Sequence, residues 1–198
     1  MTAITRPSTE TPTPIDVPHA HATLTAAFVA DPVIRWIYPD PLRYLTHFPD
    51  LVRVLAAPAF TADAADGVLD GAGAALWVPP GAPSDDEAMV RLLQESIDAH
   101  RHIDAFAFLE QVNVHHPTEP HWYLPTIGVD PACQGRGLGS TLLRFGLQRS
   151  DADHVGAYLE ASSARNRALY ERHGFQVRGE IQAADSPPLW PMWRSPAS

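Results

Sequence analysis

The stretch Gln134-Gly135-Arg136-Gly137-Leu138-Gly139 constrains this chain more than any other. It stands between a run that reads as a strand, Trp122 to Val129, and an amphipathic run with Leu138, Leu142, Leu143, Phe145 and Leu147 at helical spacing. A glycine-rich turn at such a junction leaves unpaired backbone N–H groups at the positive end of a helix. It also lets an anion approach the backbone closely. The turn therefore suits a phosphate group, by expectation a pyrophosphate. Two familiar phosphate loops do not fit. The Walker A loop needs a Lys after its last glycine, and here Ser140-Thr141 follows Gly139. The dinucleotide fingerprint needs a glycine three residues after its second, and counted from Gly137 that position is Ser140. Taken alone, the pattern also suits a tight strand-to-helix turn that binds nothing.

Around the turn, the chain alternates between helical and extended patterns. Residues 1–18 are rich in Thr and Pro and read as a tail leading into an edge strand. Residues 19–198 read as one domain, as a chain of 198 residues allows. Leu24, Ala27 and Phe28 have helical spacing, interrupted at Asp31-Pro32 and again at Tyr38-Pro39-Asp40-Pro41. A longer helix carries Leu45, Phe48, Leu51, Val52 and Leu55 and is expected to stop near Pro58. Val68-Leu69 and Ala74–Val78 flank a hairpin turn. Ser84 followed by Glu87 predicts a helix start, with helix continuing to Val112 and a break near His102. A strand over Phe106–Val114 is the competing reading. After the glycine turn come a strand at Val155–Ala161, a short helix at Asn166–His173 stopped by Gly174, and a strand at Phe175–Ile181. A proline-flanked edge strand, Leu189–Trp193, ends the series.

Composition narrows the function. The formal net charge is -9, which argues against non-specific nucleic-acid binding and is compatible with a cationic substrate. The single cysteine, Cys133, rules out an intramolecular disulfide and a multi-cysteine zinc site. The ten histidines form no known zinc pattern, so no metal is expected. No stretch approaches the roughly 20 apolar residues of a membrane span. The N-terminus lacks the apolar core of a secretory signal. A cytoplasmic location is expected, as a monomer or homodimer.

The turn follows Ile127-Gly128-Val129-Asp130-Pro131, and together these residues resemble the acetyl-CoA motif of the GNAT superfamily of N-acetyltransferases. Tyr170-Glu171-Arg172-His173-Gly174-Phe175 is similar to that family's Tyr-x-x-x-Gly-Phe segment. The layout further resembles the puromycin-type N-acetyltransferases, through Glu119–Leu124, Leu159–Ser162, Arg165-Asn166 and Trp190-Pro191-Met192. The resemblance implies a single α/β domain with a mixed, mainly antiparallel sheet flanked by helices, its central strands splayed at the cofactor site. It implies acetyl transfer from acetyl-CoA to a primary amine of a small molecule, by direct transfer in a ternary complex. The alternatives are a protein or peptide N-acetyltransferase and a non-catalytic acyl-CoA-binding sensor.

Roles follow from the same resemblance. Gln134, Gly135, Arg136, Gly137, Leu138, Gly139 and Ser140 would hold the pyrophosphate. Ile127, Gly128 and Val129 would pair with the pantetheine arm, and Pro125 implies a bulged or splayed strand there. Asn166 and Tyr170 complete the cofactor site, with Tyr170 as general acid toward the thiolate. Glu160 is the candidate base, with Glu110 and His121 as alternatives. Phe28, Trp36 and Tyr38, with Glu110 and His121, are the candidate acceptor pocket. Tyr44 lies in the same region. Cys133 would sit beside the pyrophosphate, the wrong end for an acyl-cysteine route.

Overall fold

The computed structural model describes residues 11–197. Residues 1–10 of the expected tail lie outside the described residues. A two-residue strand, β1 (Thr13–Pro14), provides the expected edge. Helix α1 (Val17–Ala27) begins two residues before the expected domain boundary.

The Asp-Pro interruptions prove to be helix starts. α2 (Pro32–Ile37) is capped by Asp31, whose carboxylate accepts from the Val33 and Ile34 amides at 3.0 and 3.1 Å. α3 (Pro41–Thr61) is capped by Asp40, which accepts from the Arg43 amide at 2.8 Å. An Asp acceptor followed by proline at the first helical position satisfies orphan amides while removing one of them. α3 does not stop at Pro58; it runs through both Pro49 and Pro58. Each interior proline costs about 3 kcal/mol in an isolated helix. Burial of Tyr44, Phe48, Leu51, Val52, Ala56 and Ala59 offsets that cost.

Strands β2 (Ala65–Val68) and β3 (Gly73–Val78) form the expected hairpin. α4 (Asp86–Ser96) is capped by Asp85, one residue later than expected, and buries Met89, Leu92 and Leu93 while leaving Val90 exposed. A single 3₁₀ turn over Ala99–Arg101 supplies the break before α5 (His102–His115), so the helical reading of 106–114 holds. β4 (His121–Val129), α6 (Leu138–Ala152), β5 (Gly156–Ala161) and α7 (Ala164–Glu171) follow in the expected order. Beyond β6 (Gln176–Val177), the expected strand shortens to an isolated bridge between Ile181 and Leu189.

β7 (Trp190–Arg194) departs from expectation: it is not an edge strand but lies between β5 and β6. Pro191 is tolerated there because its carbonyl, and so its missing donor, faces the two-residue β6, where it accepts from the Arg178 amide at 2.8 Å. The described strands form one open sheet in the order β1-β2-β3-β4-β5-β7-β6, antiparallel except at β4–β5.

One face of the sheet carries α1, α3 and α4, around a core of Leu24, Tyr38, Tyr44, Phe48 and Leu76. The other carries α6 and α7, around Trp77, Leu142, Leu143, Leu159 and Met192. β4 and β5 pair only from His121 to Tyr123 against Gly156 to Tyr158, then part. At the parting point Leu124 and Pro125 stand opposite Trp77 alone, a bulge in β4 that the proline's missing donor favours. The expected splay is therefore present. Gly128, just past it, lets α1 lie directly on the strand: a β-carbon there would come 2.6 Å from that of Ala27. Among the described residues no helix is long and apolar enough to cross a membrane.

Candidate active site

The splay opens into a cleft of about 550 Å³. On one side lie Ile127, Gly128 and Val129 of β4. The turn supplies Gln134, Gly135, Gly137, Leu138, Gly139 and Ser140, and α7 supplies Asn166 and Tyr170. Those sequence-predicted residues are thus brought together. Arg136 is not among them; it is exposed, its guanidinium 3.9 Å from Cys133 Sγ.

The turn fits an anionic group on its own geometry. Gly135 and Gly137 adopt φ of +76° and +84°, and a β-carbon at either would meet nothing within 4 Å. Both thus need the left-handed backbone, yet face open space. Gly137 is the N-cap of α6 and has no side chain to occupy the first amides of the helix. Ser140, in the first turn of α6, hydrogen-bonds His173 Nε2 at 3.0 Å. His173 is held below its ordinary value, first by burial and then by Arg144, Arg172 and Arg194.

Tyr170 is buried and lies against Phe175, ring centroids 6.1 Å apart. Burial pushes its hydroxyl well above the ordinary range, and the charge of Asp31 pushes it further. The phenol therefore keeps its proton throughout the neutral range. Asp31 is a site residue that the sequence did not reveal. It caps α2, lines the cleft and accepts from the Ser162 hydroxyl. Burial raises its carboxyl, partly opposed by the Ser162, Ile34 and Val33 donors. Arg165 and Arg172 also line the cleft and add positive charge near the turn.

Glu160 lies two residues beyond the last β4–β5 pair. Alternation along β5 sends Ala157, Leu159 and Ala161 into the α6–α7 core and turns Tyr158 and Glu160 to the opposite face. The Glu160 side chain is 8% exposed, and its Oε1 has no hydrogen-bond partner. The rings of His116, Tyr123 and Tyr158 pack at 4.9 to 5.8 Å centroid separations beside it. Burial first, then the charge of Glu160 and hydrogen bonding to its carboxylate, drives the Tyr123 and Tyr158 hydroxyls far upward. His116, His121 and Tyr123 in turn line a second groove of about 720 Å³, bounded by α3, the 78–86 segment and α5.

The candidate acceptor residues do not form one pocket. Tyr38 is fully buried, its hydroxyl 3.0 Å from Ser96 Oγ, because that partner lets an aromatic sit in the core at no polar cost. Tyr44 is likewise core, donating to the Thr25 carbonyl. Trp36 packs on Phe108 and donates to Asp185 at 2.8 Å, outside both openings. Glu110 is exposed on α5 and lines neither. Phe28 lines the cleft beside the glycine turn, and His121 the second groove.

The sequence profile of the acetyltransferase (GNAT) family matches residues 74–175, just over half of the chain, and the chain belongs to that family. It is by class an acetyl-CoA-dependent N-acetyltransferase. An uncharacterised N-acetyltransferase of Schizosaccharomyces pombe is 29% identical over 182 residues, covering 84% of this chain and 73% of that protein. A mycothiol acetyltransferase of Beutenbergia cavernae is 48% identical over 52 residues, which is 25% of this chain and only 18% of that protein. Among solved structures, a Corynebacterium glutamicum protein described as histone acetyltransferase HPA2 and related acetyltransferase is 28% identical. It superimposes with a TM-score of 0.68 over 96% of this chain and 98% of its own. The Drosophila melanogaster polyamine N-acetyltransferase shares the fold at 15% identity, with a TM-score of 0.62 over 91% of this chain and 97% of its own.

Proposed function

We propose that this chain moves an acetyl group from acetyl-CoA to the primary amine of a small molecule, by direct transfer in a ternary complex. One observation carries the reading. Tyr170, a phenol that burial keeps protonated, faces the same cleft as the open glycine turn at the start of α6. Acetyl-CoA supplies the thioester carbonyl. The chain's own part begins with the amides of Gly135 to Ser140 holding the pyrophosphate. The amides near Ile127 and Val129, past the point where β5 parts from β4, orient the pantetheine arm and the carbonyl oxygen. Tyr170 gives its proton to the departing sulfur, and Glu160 takes one from the amine.

The small-molecule reading is supported by the Drosophila neighbour, a polyamine N-acetyltransferase described as forming N-acetylagmatine. The likeness of Glu119–Leu124 and Leu159–Ser162 to puromycin-type enzymes adds aminonucleosides to the amines worth screening. Protein or peptide acetylation is a second reading, favoured by the histone acetyltransferase description of the Corynebacterium neighbour.

Isothermal titration with acetyl-CoA, using ATP and NAD as controls, tests the donor. A panel of polyamines, arylalkylamines, aminonucleosides and basic peptides with a free-thiol readout then tests the acceptor. Selective acetyl-CoA binding with turnover on a small amine is expected. Turnover on peptides alone would transfer the assignment to the second reading, and a folded protein that ignores acetyl-CoA would overturn both.

A further inference from the structure

The two openings of the molecule differ in charge. Arg165 and Arg172 line the cleft beside the glycine turn. The second groove, of about 720 Å³, has no such cation: the chain contains no lysine, and among the described residues none of its arginines lines the groove. The acidic side chains that do line it are Asp85, Asp86 and Glu119. An anionic ligand would lose its water there and meet no counter-charge.

The walls have a second peculiarity. Six of the lining residues are prolines: Pro58, Pro79, Pro80, Pro83, Pro117 and Pro120. A proline carries no N–H, so these walls offer few backbone donors to a phosphate, a carboxylate or a peptide carbonyl. The strands that reach the groove present no free edge to a peptide either, because Val78 of β3 pairs with Tyr123 of β4. Val54 and Leu55 of α3, Met89 of α4, and Leu109 and Val112 of α5 complete an apolar lining. A space of this size, apolar along its walls and polar at one end, suits a small molecule.

The polar end lies at the sheet. His116, His121 and Tyr123 line the groove there, the His116 ring 5.0 and 4.9 Å from the other two by centroid. Behind them Glu160 Oε1 stands 3.9 Å from His116 Nδ1. Aromatic rings backed by a buried carboxyl are surroundings that favour an ammonium group. A second cation farther along would find less. Asp85 already accepts from the Ala88 amide at 2.9 Å, and Asp86 and Glu119 are exposed. Ion pairs made in water add little. The apolar walls, not a second charge, therefore decide what fits.

We propose that the second groove binds the acceptor, and that the acceptor is a primary monoamine on a bulky apolar body, its ammonium toward the rings at the sheet and its body along the proline walls. The acceptor role rests on the acetyltransferase reading above; the binding preference of the groove does not.

Isothermal titration of the full chain with a homologous series, from benzylamine to 4-phenylbutylamine, tests the groove with or without coenzyme A present. Affinity should rise about fourfold with each added methylene, the transfer value of a buried CH₂. The anionic counterpart 4-phenylbutyrate should not bind, and spermidine should bind on the order of tenfold more weakly than 4-phenylbutylamine. Leu55→Ala and Leu109→Ala truncate two helical walls. Each should weaken 4-phenylbutylamine on the order of fivefold and benzylamine little, with acetyl-CoA affinity unchanged, and either suffices if the other melts early. Affinity flat along the series, or spermidine or a basic peptide bound more tightly than 4-phenylbutylamine, would sink the proposal. Titration with acetyl-CoA separates the two failures. A protein that ignores acetyl-CoA yet ranks the amines in this order keeps the groove preference and loses the transferase reading. One that binds acetyl-CoA but acetylates only polyamines or peptides keeps the transferase reading and loses the groove preference.

Discussion

Under the proposed reading, Tyr170 serves as the acid because of where its phenol stands. Any buried tyrosine has a raised hydroxyl; this one also feels Asp31 and faces the cleft. Tyr170→Phe removes one oxygen without opening a cavity. If Tyr170 is the general acid, this should lower kcat on the order of 100-fold, with acetyl-CoA affinity nearly intact in titration. Tyr38 should behave in the opposite way. It is core, so Tyr38→Ala should cost about 3–5 kcal/mol in urea unfolding, and surviving protein should keep its acceptor KM. The sequence offers both tyrosines as site candidates, Tyr170 as the acid and Tyr38 in the acceptor pocket. The structure separates them: Tyr170 lines the cleft, whereas the Tyr38 hydroxyl is spent on Ser96 in the core.

Among elements, the approach of α1 to β4 and the start of α6 decide the shape of the cleft. Gly128→Ala would drive a β-carbon into Ala27 at 2.6 Å, backbone-borne and unable to swing aside. Overpacking of that kind costs about 1–3 kcal/mol. Since Ala27 and Gly128 both line the cleft, acetyl-CoA affinity should fall with it, read by titration alongside melting. Gly137→Ala places its β-carbon in open space but forces an L-residue to φ near +84°, at about 1–2 kcal/mol. Its loss should fall on donor binding more than on packing.

For the molecule as a whole, pH dependence follows from half-buried histidines. His21, His121 and His173 are each held below 6.5, with burial the first cause. A histidine whose folded value is depressed stabilises the fold above its unfolded value, and that contribution is lost as pH falls below 6.5. Asp31 has the opposite sign: its raised carboxyl penalises the fold only as pH rises through the acid range. The urea midpoint should therefore fall as pH drops from 7.5 toward 5.5, and His173→Gln should flatten that slope. Legibility divides along the same lines. The glycine turn, the α6 stripe and the Tyr170 segment lie close together in sequence, and local patterns carry them. Asp31 reaches Ser162 across more than a hundred residues, and His116 meets Glu160 across more than forty. No local period marks such meetings. Pro191 misled for a related reason: a proline reports a missing donor but not which neighbour goes without it.

The three-residue seam between β4 and β5 has an engineering consequence. Apart from it, the hydrogen-bonded ladders fall into two woven pieces, β1–β4 and β5–β7, each contiguous in the chain. Asp153 and His154, both exposed, sit at the turn between α6 and β5. A chain cut there yields two fragments, one carrying the glycine turn and the other carrying Tyr170. Neither alone holds both halves of the cleft, so the cut pair is a split enzyme whose recovered turnover reports that two proteins fused to the fragments have met.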